Sequence, residues 1–537
     1  MEQTPYHLAI VPIVIPLIVG AFMLFFEDRE RQLKLTLAVL SILAQFVVAG
    51  VLLVEVHTDV AHAFVYLVGN WPATIAINLV VDRLAAVMLV LTAALALPAI
   101  IFASERWEKS GPHFQSLFQF LLAGINGAFL TGDLFNLFVF FEVMLAASYG
   151  LVLHGGGPIR VRSGLHYIAV NLGTSLIFLI GIAMVFGATG SLNLAEIARR
   201  SNELEGFPQA AFQVGLAMLS LAFLVKAGMW PLCHWLVPAY SAAAAPVAAV
   251  FAMLSKVGIY SLLRLSLMLP GEGVAFGSAV IFIGGVVTLI FACVGLLASQ
   301  SMSRVSAYFI LISSGTMLAT FGISVPGGTA GALYYLVSST LAVSAFFMLV
   351  ELLQREQDIT AGVLGVTQEA FGDVEETEEG QEEVGRLLPG AVAVLGLGFC
   401  ILALVLIGLP PLSGFLAKFA ILTSILGPGS EQANSTEFVR GLLAGLLLLS
   451  GLVALIALSR LGIRVFWAPI EPFAPKVTLR ETLPIMMLIA LLLGIGIFAS
   501  PIMDLLRATA NDLHSPTLYL DAVFKAEGVP PYKGVAP

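Results

Sequence analysis

The chain has 537 residues, 59% of them hydrophobic and only 11% charged, with a mean hydropathy of +0.99. Soluble chains carry about 25% charged residues, so a water-soluble globular fold is excluded and a bilayer is the expected solvent. The net charge of −9 sits largely in one loop, and no nucleic-acid partner is expected.

A spanning helix needs roughly 20 apolar residues. Runs of this kind fall at 7–26, 33–54, 79–103, 114–131, 134–153, 163–187, 209–229, 242–266, 275–298, 304–323, 328–354, 389–425, 438–465 and 482–507. They predict an all-α membrane protein with about fourteen transmembrane helices. The first run lacks a basic leader and a small-residue cleavage site, and reads as a retained span. Trp230-Pro231 lies at the end of the seventh run and Pro410-Pro411 inside the twelfth. Proline removes a backbone donor and breaks the helix. In a membrane such breaks persist only where protein or a watery cavity shields the freed groups. Two broken helices in one bundle mark transporters built from repeats. The three cysteines, Cys233, Cys293 and Cys400, are too scattered for a disulfide framework or a metal cluster.

Loop Lys and Arg residues predict the orientation. Arg29, Arg31, Lys34, Arg106, Lys109, Arg160, Arg162, Arg304, Arg355, Arg386, Arg460, Arg464, Lys476 and Arg480 fall on one side. The smaller set is Arg199, Arg200, Arg264, Arg440, Arg507, Lys525 and Lys533. The bias predicts both termini outside and the loop 355–388 in the cytoplasm. That loop carries Asp373, Glu375, Glu376, Glu378, Glu379, Glu382 and Glu383. Such a run reads as a solvated acidic loop; concentrating cations by its field is the alternative.

Four ionisable residues lie deep in apolar runs. Glu142 is in DLFNLFVFFEVMLAASYGL, Lys226 in LAFLVKAGMWPLCHWL, Lys256 in APVAAVFAMLSKVGIYSLLR and Lys418 in GLPPLSGFLAKFAIL. Each such charge costs roughly 2.5–3.5 kcal/mol at mid-bilayer, and snorkelling works only near helix ends. A buried ion pair such as Glu142–Lys226 that merely locks helices is the structural alternative. It cannot cover all four, because one carboxylate cannot neutralise three lysines. Desolvated lysine exchanges its proton readily, so the row suits proton relay. Ser255 stands next to Lys256, the run 304–323 adds Ser306, Ser313, Ser314 and Thr316, and the run 328–354 adds Ser338, Ser339, Thr340 and Ser344. These either bond backbone carbonyls and neighbouring helices or hold waters bridging Lys256 to Lys418. His234 reads equally as packing or as a group titrating near neutral pH. Asp82 and Asp133 begin helices and read as caps. Phe135, Phe138, Phe140 and Phe141 read as lipid-facing or packing residues. No phosphate loop and no spacing for metal, haem or iron–sulfur binding occurs. No cofactor is expected, and an ion gradient or a partner must drive the chain.

At TGDLFNLFVFFEVMLAASYGL, VKAGMWPLCHWLVPAY, APVAAVFAMLSKVGIYSLLR and GLPPLSGFLAKFAIL the sequence resembles the D subunit of the Mrp/Pha-type multisubunit monovalent cation/proton antiporters, which are related to the antiporter-like subunits of respiratory complex I. The resemblance covers nearly the whole chain, and the ending HSPTLYLDAVF is similar to the Pha-type branch. It implies inverted five-helix repeats, at 111–270 and 271–465, preceded by three helices in 1–110 and followed by a last helix and tail in 466–537. It implies Glu142 and Lys226 as the coupled pair of the first half-channel, Lys256 as central relay and Lys418 as terminal lysine. The implied partners are the A, B, C, E, F and G subunits, with protons, Na+ and membrane lipids, in a bacterial inner membrane. Histidines frequent in the relay region of related subunits are replaced by Cys233, Ser314 and Ser338, so hydroxyl-held water is expected there. The acidic stretch 373–383 is longer than the family norm. A proton-pumping subunit of a redox complex, a structural scaffold and a self-sufficient antiporter are the rival readings.

Overall fold

The computed structural model describes residues 7–27, 30–58, 63–72, 76–268, 272–371, 390–427, 437–467 and 477–526. The acidic run 373–383 lies outside them. Every predicted apolar run holds a helix. In chain order these are α1 (Val11–Met23), α2 (Arg31–Thr58), α3 (Arg83–Glu105), α4 (Phe114–Leu130), α5 (Leu134–Leu153), α6 (Pro158–Thr189), the short α7 (Leu194–Ser201), and α8 (Gly206–Ala227). Then follow α9 (Leu236–Ala242), α10 (Ala245–Met268), α11 (Glu272–Ala298), α12 (Met302–Ile323), α13 (Pro326–Phe371), α14 (Gly390–Ile407) and α15 (Ser413–Leu426). The chain closes with α16 (Glu437–Gly462), α17 (Leu479–Ile497), α18 (Ala499–His514) and α19 (Thr517–Lys525). Among the described residues, 12 helices are long and apolar enough to cross a membrane, and α1, α4 and α15 are shorter apolar helices. The protein is a multi-pass membrane protein.

Local sequence sets the helix ends. Asp82 caps α3 by accepting from the N–H of Ala85, and Asp133 caps α5 by accepting from that of Asn136, each satisfying a donor the first turn leaves open. Thr478 and Glu481 form a reciprocal capping box on α17. The seventh apolar run stops at Ala227, where Gly228 takes a left-handed conformation (φ 75°), and the chain resumes as α9 beyond Trp230-Pro231. The twelfth run is cut between Ile407 and Ser413. Both Trp230-Pro231 and Pro410-Pro411 are cis. Two boundaries differ from expectation. The run at 482–507 divides at Phe498, and the run at 328–354 continues helical to Phe371.

The expected all-α class needs one amendment. Between α2 and α3, β1 (Ala63–Leu67) pairs antiparallel with β2 (Asn78–Asp82), with Ala63 opposite Asp82 and Leu67 opposite Asn78. Single bridges from Leu79 to Thr131 and from Asp133 to Asn193 join this hairpin to the loops before α5 and α7. These runs are too short to span, and they cover one end of the bundle, here called the hairpin end.

Burial is graded across the bundle. The apolar window of α10 is 100% buried and that of α13 89%, against 33% for α2 and α17. α10 is therefore a central helix with protein on all sides, and a charge on it has no route to a lipid headgroup. At the hairpin end, Arg264 near the end of α10 is buried and paired with Asp82, donating from Nη2 to Oδ1 at 2.9 Å. Its place is thus inside a helix, which corrects its assignment to a loop. Arg83 pairs with Asp512 of α18 at 2.6 Å, and His514 meets the Thr329 hydroxyl at 3.0 Å. These contacts fasten the C-terminal helices across the hairpin end.

Candidate functional site

Lys226 occupies the last turn of α8, next to the break. Carbonyls left open at a helix C-terminus carry partial negative charge and favour a cation there. Its ammonium lies 5.1 Å from the ring centroid of Phe141, a cation–π distance. Phe141 is fully buried and held by Phe223 and Phe178 at 6.0 and 5.7 Å. Glu142 is the next residue on α5. Glu142 and Lys226 are not bonded to each other. Among the described residues no carboxylate lies within 4.0 Å of the ammonium of Lys226, Lys256 or Lys418. Lys226 Nζ and Glu142 Oε1 are buried without a hydrogen-bond partner in the chain.

Lys256 is brought up behind this pair by Gly258. A Cβ at Gly258 would lie 2.8 Å from the Ala227 nitrogen, 2.9 Å from the Phe223 carbonyl oxygen and 3.1 Å from the Lys226 carbonyl carbon, so α8 and α10 touch backbone to backbone at Lys226 itself. Lys256 is 1% exposed. Its ammonium donates to Ser313 Oγ at 2.5 Å, and Ser313 Oγ is 3.0 Å from Ser339 Oγ. The next residue back, Ser338, sits 2.8 Å from Ser413 Oγ. Adjacent residues on a helix point about 100° apart, so the Ser338-Ser339 pair lets α13 serve α12 and α15 at once. Gly331 makes the α13–α15 approach possible, since a Cβ there would stand 2.8 Å from the Ile421 nitrogen.

Ser413 opens α15 immediately after the proline break. Five residues on, Lys418 donates to the carbonyl of Ile407 at 2.9 Å. That carbonyl ends α14 and has been freed by the same break. Lys418 also borders a cavity of 240 Å³ between the break and α16, whose other lining residues, including Phe415, Phe419, Leu447 and Gly451, are apolar or glycine.

The structure thus brings Lys256, Ser313 and Ser339 into one bonded series and Ser338 and Ser413 into a second that leads toward Lys418. Other candidates fall elsewhere. Ser255 donates to Ala252 O at 3.0 Å and Thr340 to Leu336 O at 2.6 Å, each within its own helix. Ser344 donates to Ala249 O, tying α13 to α10. Ser314 Oγ is buried without a partner in the chain. His234 is exposed, edge-on to Phe291 at 6.1 Å, and lies outside the hydroxyl series. Of the phenylalanine run, Phe135 is exposed and Phe138 packs against Phe178. Ser413 was not singled out in the sequence, although it stands inside the proline motif as the first hydroxyl after the break.

Buried lysines beside two broken helices are features of an antiporter-like membrane subunit. Residues 131–444 match the transmembrane family described as NADH:quinone oxidoreductase/Mrp antiporter, and the chain belongs to that family. It is 50% identical, over 97% of its length and 98% of the relative's, to the D subunit of a probable K(+)/H(+) antiporter of Rhizobium meliloti (strain 1021). It is 32% identical, over 97% and 99%, to the D subunit of the Na(+)/H(+) antiporter of Alkalihalophilus pseudofirmus. Its fold matches a chain of the Mrp complex from Dietzia sp. DQ12-45-1b with a TM-score of 0.79 at 23% identity, covering 97% of this chain and 100% of that one. A chain of the archaeal membrane-bound sulfane sulfur reductase matches with a TM-score of 0.80 at 22% identity and the same coverage.

Proposed function

We propose that the chain is the D subunit of a multisubunit monovalent cation/proton antiporter of the bacterial inner membrane, and that protons pass through it by way of Glu142, Lys226, Lys256 and Lys418. The observation that carries this reading is the two hydroxyl series, Lys256–Ser313–Ser339 and Ser338–Ser413, which place polar groups between isolated lysines in an otherwise apolar interior. In this reading 111–270 forms the first half-channel and 271–465 the second. Both termini face outward, and 1–110 and 466–537 frame the assembly. Two unit charges about 6 Å apart at an effective dielectric near 20 interact by about 3 kcal/mol. That biases occupancy of the next site by roughly a hundredfold, so each proton moves its neighbour on. The 50% identical relative, named for K(+)/H(+) exchange, supports K+ as a transported cation beside the Na+ expected from the sequence.

The fold match to a respiratory complex favours a second reading, a proton-pumping subunit driven by electron transfer. The purified assembly in vesicles separates the two. An imposed K+ or Na+ gradient drives proton flux in an antiporter, and Glu142→Gln or Lys418→Ala abolishes it without loss of assembly. Flux that needs a quinone or ferredoxin and ignores both cations rejects the antiporter.

A further inference from the structure

The 240 Å³ cavity beside Lys418 takes no part in the hydroxyl series. Two glycines make room for it. A Cβ at Gly408 would lie 2.9 Å from Lys418 Cδ, and one at Gly451 would lie 3.6 Å from Lys418 Nζ. Both glycines line the cavity, so the ammonium itself stands at its inner wall. An ammonium carries three donors, and this one gives a single hydrogen bond among the described residues, to the Ile407 carbonyl. The rest of the lining is apolar. Of it, Phe419, Leu448 and Leu452 are 52%, 66% and 54% exposed. On the helices of a membrane bundle such side chains meet lipid, so the cavity opens sideways into the bilayer.

An apolar cavity that opens to lipid and ends on a cation fits an apolar chain with an acidic head. The depth of the site selects the head. With 18 and 14 residues, α14 and α15 put about 27 and 21 Å of helix on the two sides of the break. A phosphate headgroup keeps its charge and stays at the membrane surface. A carboxylic acid sheds its charge by binding a proton and enters the hydrocarbon. An apolar chain alone gains nothing by leaving lipid for an apolar wall. Pairing of the head with the ammonium therefore has to hold the ligand.

We propose that this cavity is a binding site for a long-chain carboxylic acid, a fatty acid of the bilayer, which inhibits transport by fixing the charge on Lys418. The acid arrives protonated. Its O–H bond breaks, the lone pair of neutral Lys418 Nζ takes the proton, and a carboxylate–ammonium pair is left, with no other reactant needed. The carboxylate accepts from the ammonium hydrogens that the Ile407 carbonyl leaves free, a charge-assisted hydrogen bond strengthened by the low dielectric around it. While the pair lasts, the proton on Lys418 moves no further. Binding stands on the cavity alone, and the inhibition rests on the proposed function.

The test uses the assembled complex in proteoliposomes and a dodecanoic acid with a photoreactive diazirine on its chain. Labelling is expected on residues 415–422 of α15 and 447–455 of α16, which line the cavity. Excess dodecanoic acid is expected to suppress it about tenfold or more, and methyl dodecanoate, which has no acidic proton, by less than about twofold. Leu452→Trp narrows the mouth from the lipid side. It is expected to cut labelling about fivefold while keeping the rate of cation-driven proton flux. Equal suppression by acid and ester, unchanged labelling in Leu452→Trp, or labelling spread evenly over the lipid face overturns the site. Flux then tests the consequence. Dodecanoic acid is expected to slow the wild-type complex at a concentration about tenfold below that needed for Leu452→Trp, with the same leak from the acid itself in both membranes. Equal sensitivity overturns the inhibition and leaves the proposed function standing. Full flux in Lys418→Met overturns the relay role of Lys418 and the inhibition with it, whereas the labelling still decides the binding site.

Discussion

Replacing Ser313 with alanine removes the hydroxyl that accepts from Lys256 at 2.5 Å and links it to Ser339. A hydrogen bond to a charged group contributes about 1.5–3 kcal/mol, which corresponds to about 10- to 150-fold in how often Lys256 holds its charge at that position. The initial rate of cation-driven proton flux in everted vesicles, normalised to assembled complex, is expected to fall at least about tenfold. Ser313→Thr keeps the hydroxyl and is expected to keep most of the rate. Ser314→Ala is the matched control. Its hydroxyl is equally buried but has no partner in the chain, so its removal is expected to change the rate by no more than about twofold. Equal losses in Ser313→Ala and Ser314→Ala, or a full rate in Ser313→Ala, refute the reasoning.

Gly258→Ala forces a Cβ to 2.8 Å from the Ala227 nitrogen. Overpacking of this kind costs about 1–3 kcal/mol, so a lower Tm in detergent and a reduced flux are both expected. Arg264→Ala leaves Asp82 without its ion-pair partner near the hairpin end. Breaking such a pair costs about 3–5 kcal/mol when buried, and Arg264→Lys recovers only part of it, because an ammonium lacks the fork of two N–H donors. Thermal unfolding of the three forms ranks them. His514 is held below the ordinary imidazole range by burial, and its ring meets Thr329. As pH falls through the imidazole range the unfolded form takes a proton that the folded form resists. The docking of α18 is therefore strongest above that range and weakens as pH drops through it. Hydrogen exchange of α18 at pH 8 and pH 5 checks this, and equal protection contradicts it.

The helices were legible in the sequence because lipid demands long apolar runs, and the two breaks because proline cannot continue a helix. Glu142, Lys226, Lys256 and Lys418 stood out for the same reason, since each charge is costly in its run. What each residue touches was not legible. Ser313 and Ser314 are neighbours with the same chemistry, and only the rotation of α12 decides which one meets Lys256. Arg264 reads as a loop residue when helix ends are uncertain, and its partner Asp82 is 182 positions away. The division at Phe498 is marked in the sequence only by Pro501, three residues further on, whose missing N–H cannot bond the Ile497 carbonyl. β1 and β2 are too short for a span pattern and are set by pairing across a loop.

Replacing Lys256 with alanine in the whole assembly tests the central claim most directly. With co-purification of the other subunits at wild-type yield, cation-driven proton flux is expected to drop to background. An intact assembly that keeps the wild-type rate contradicts the account.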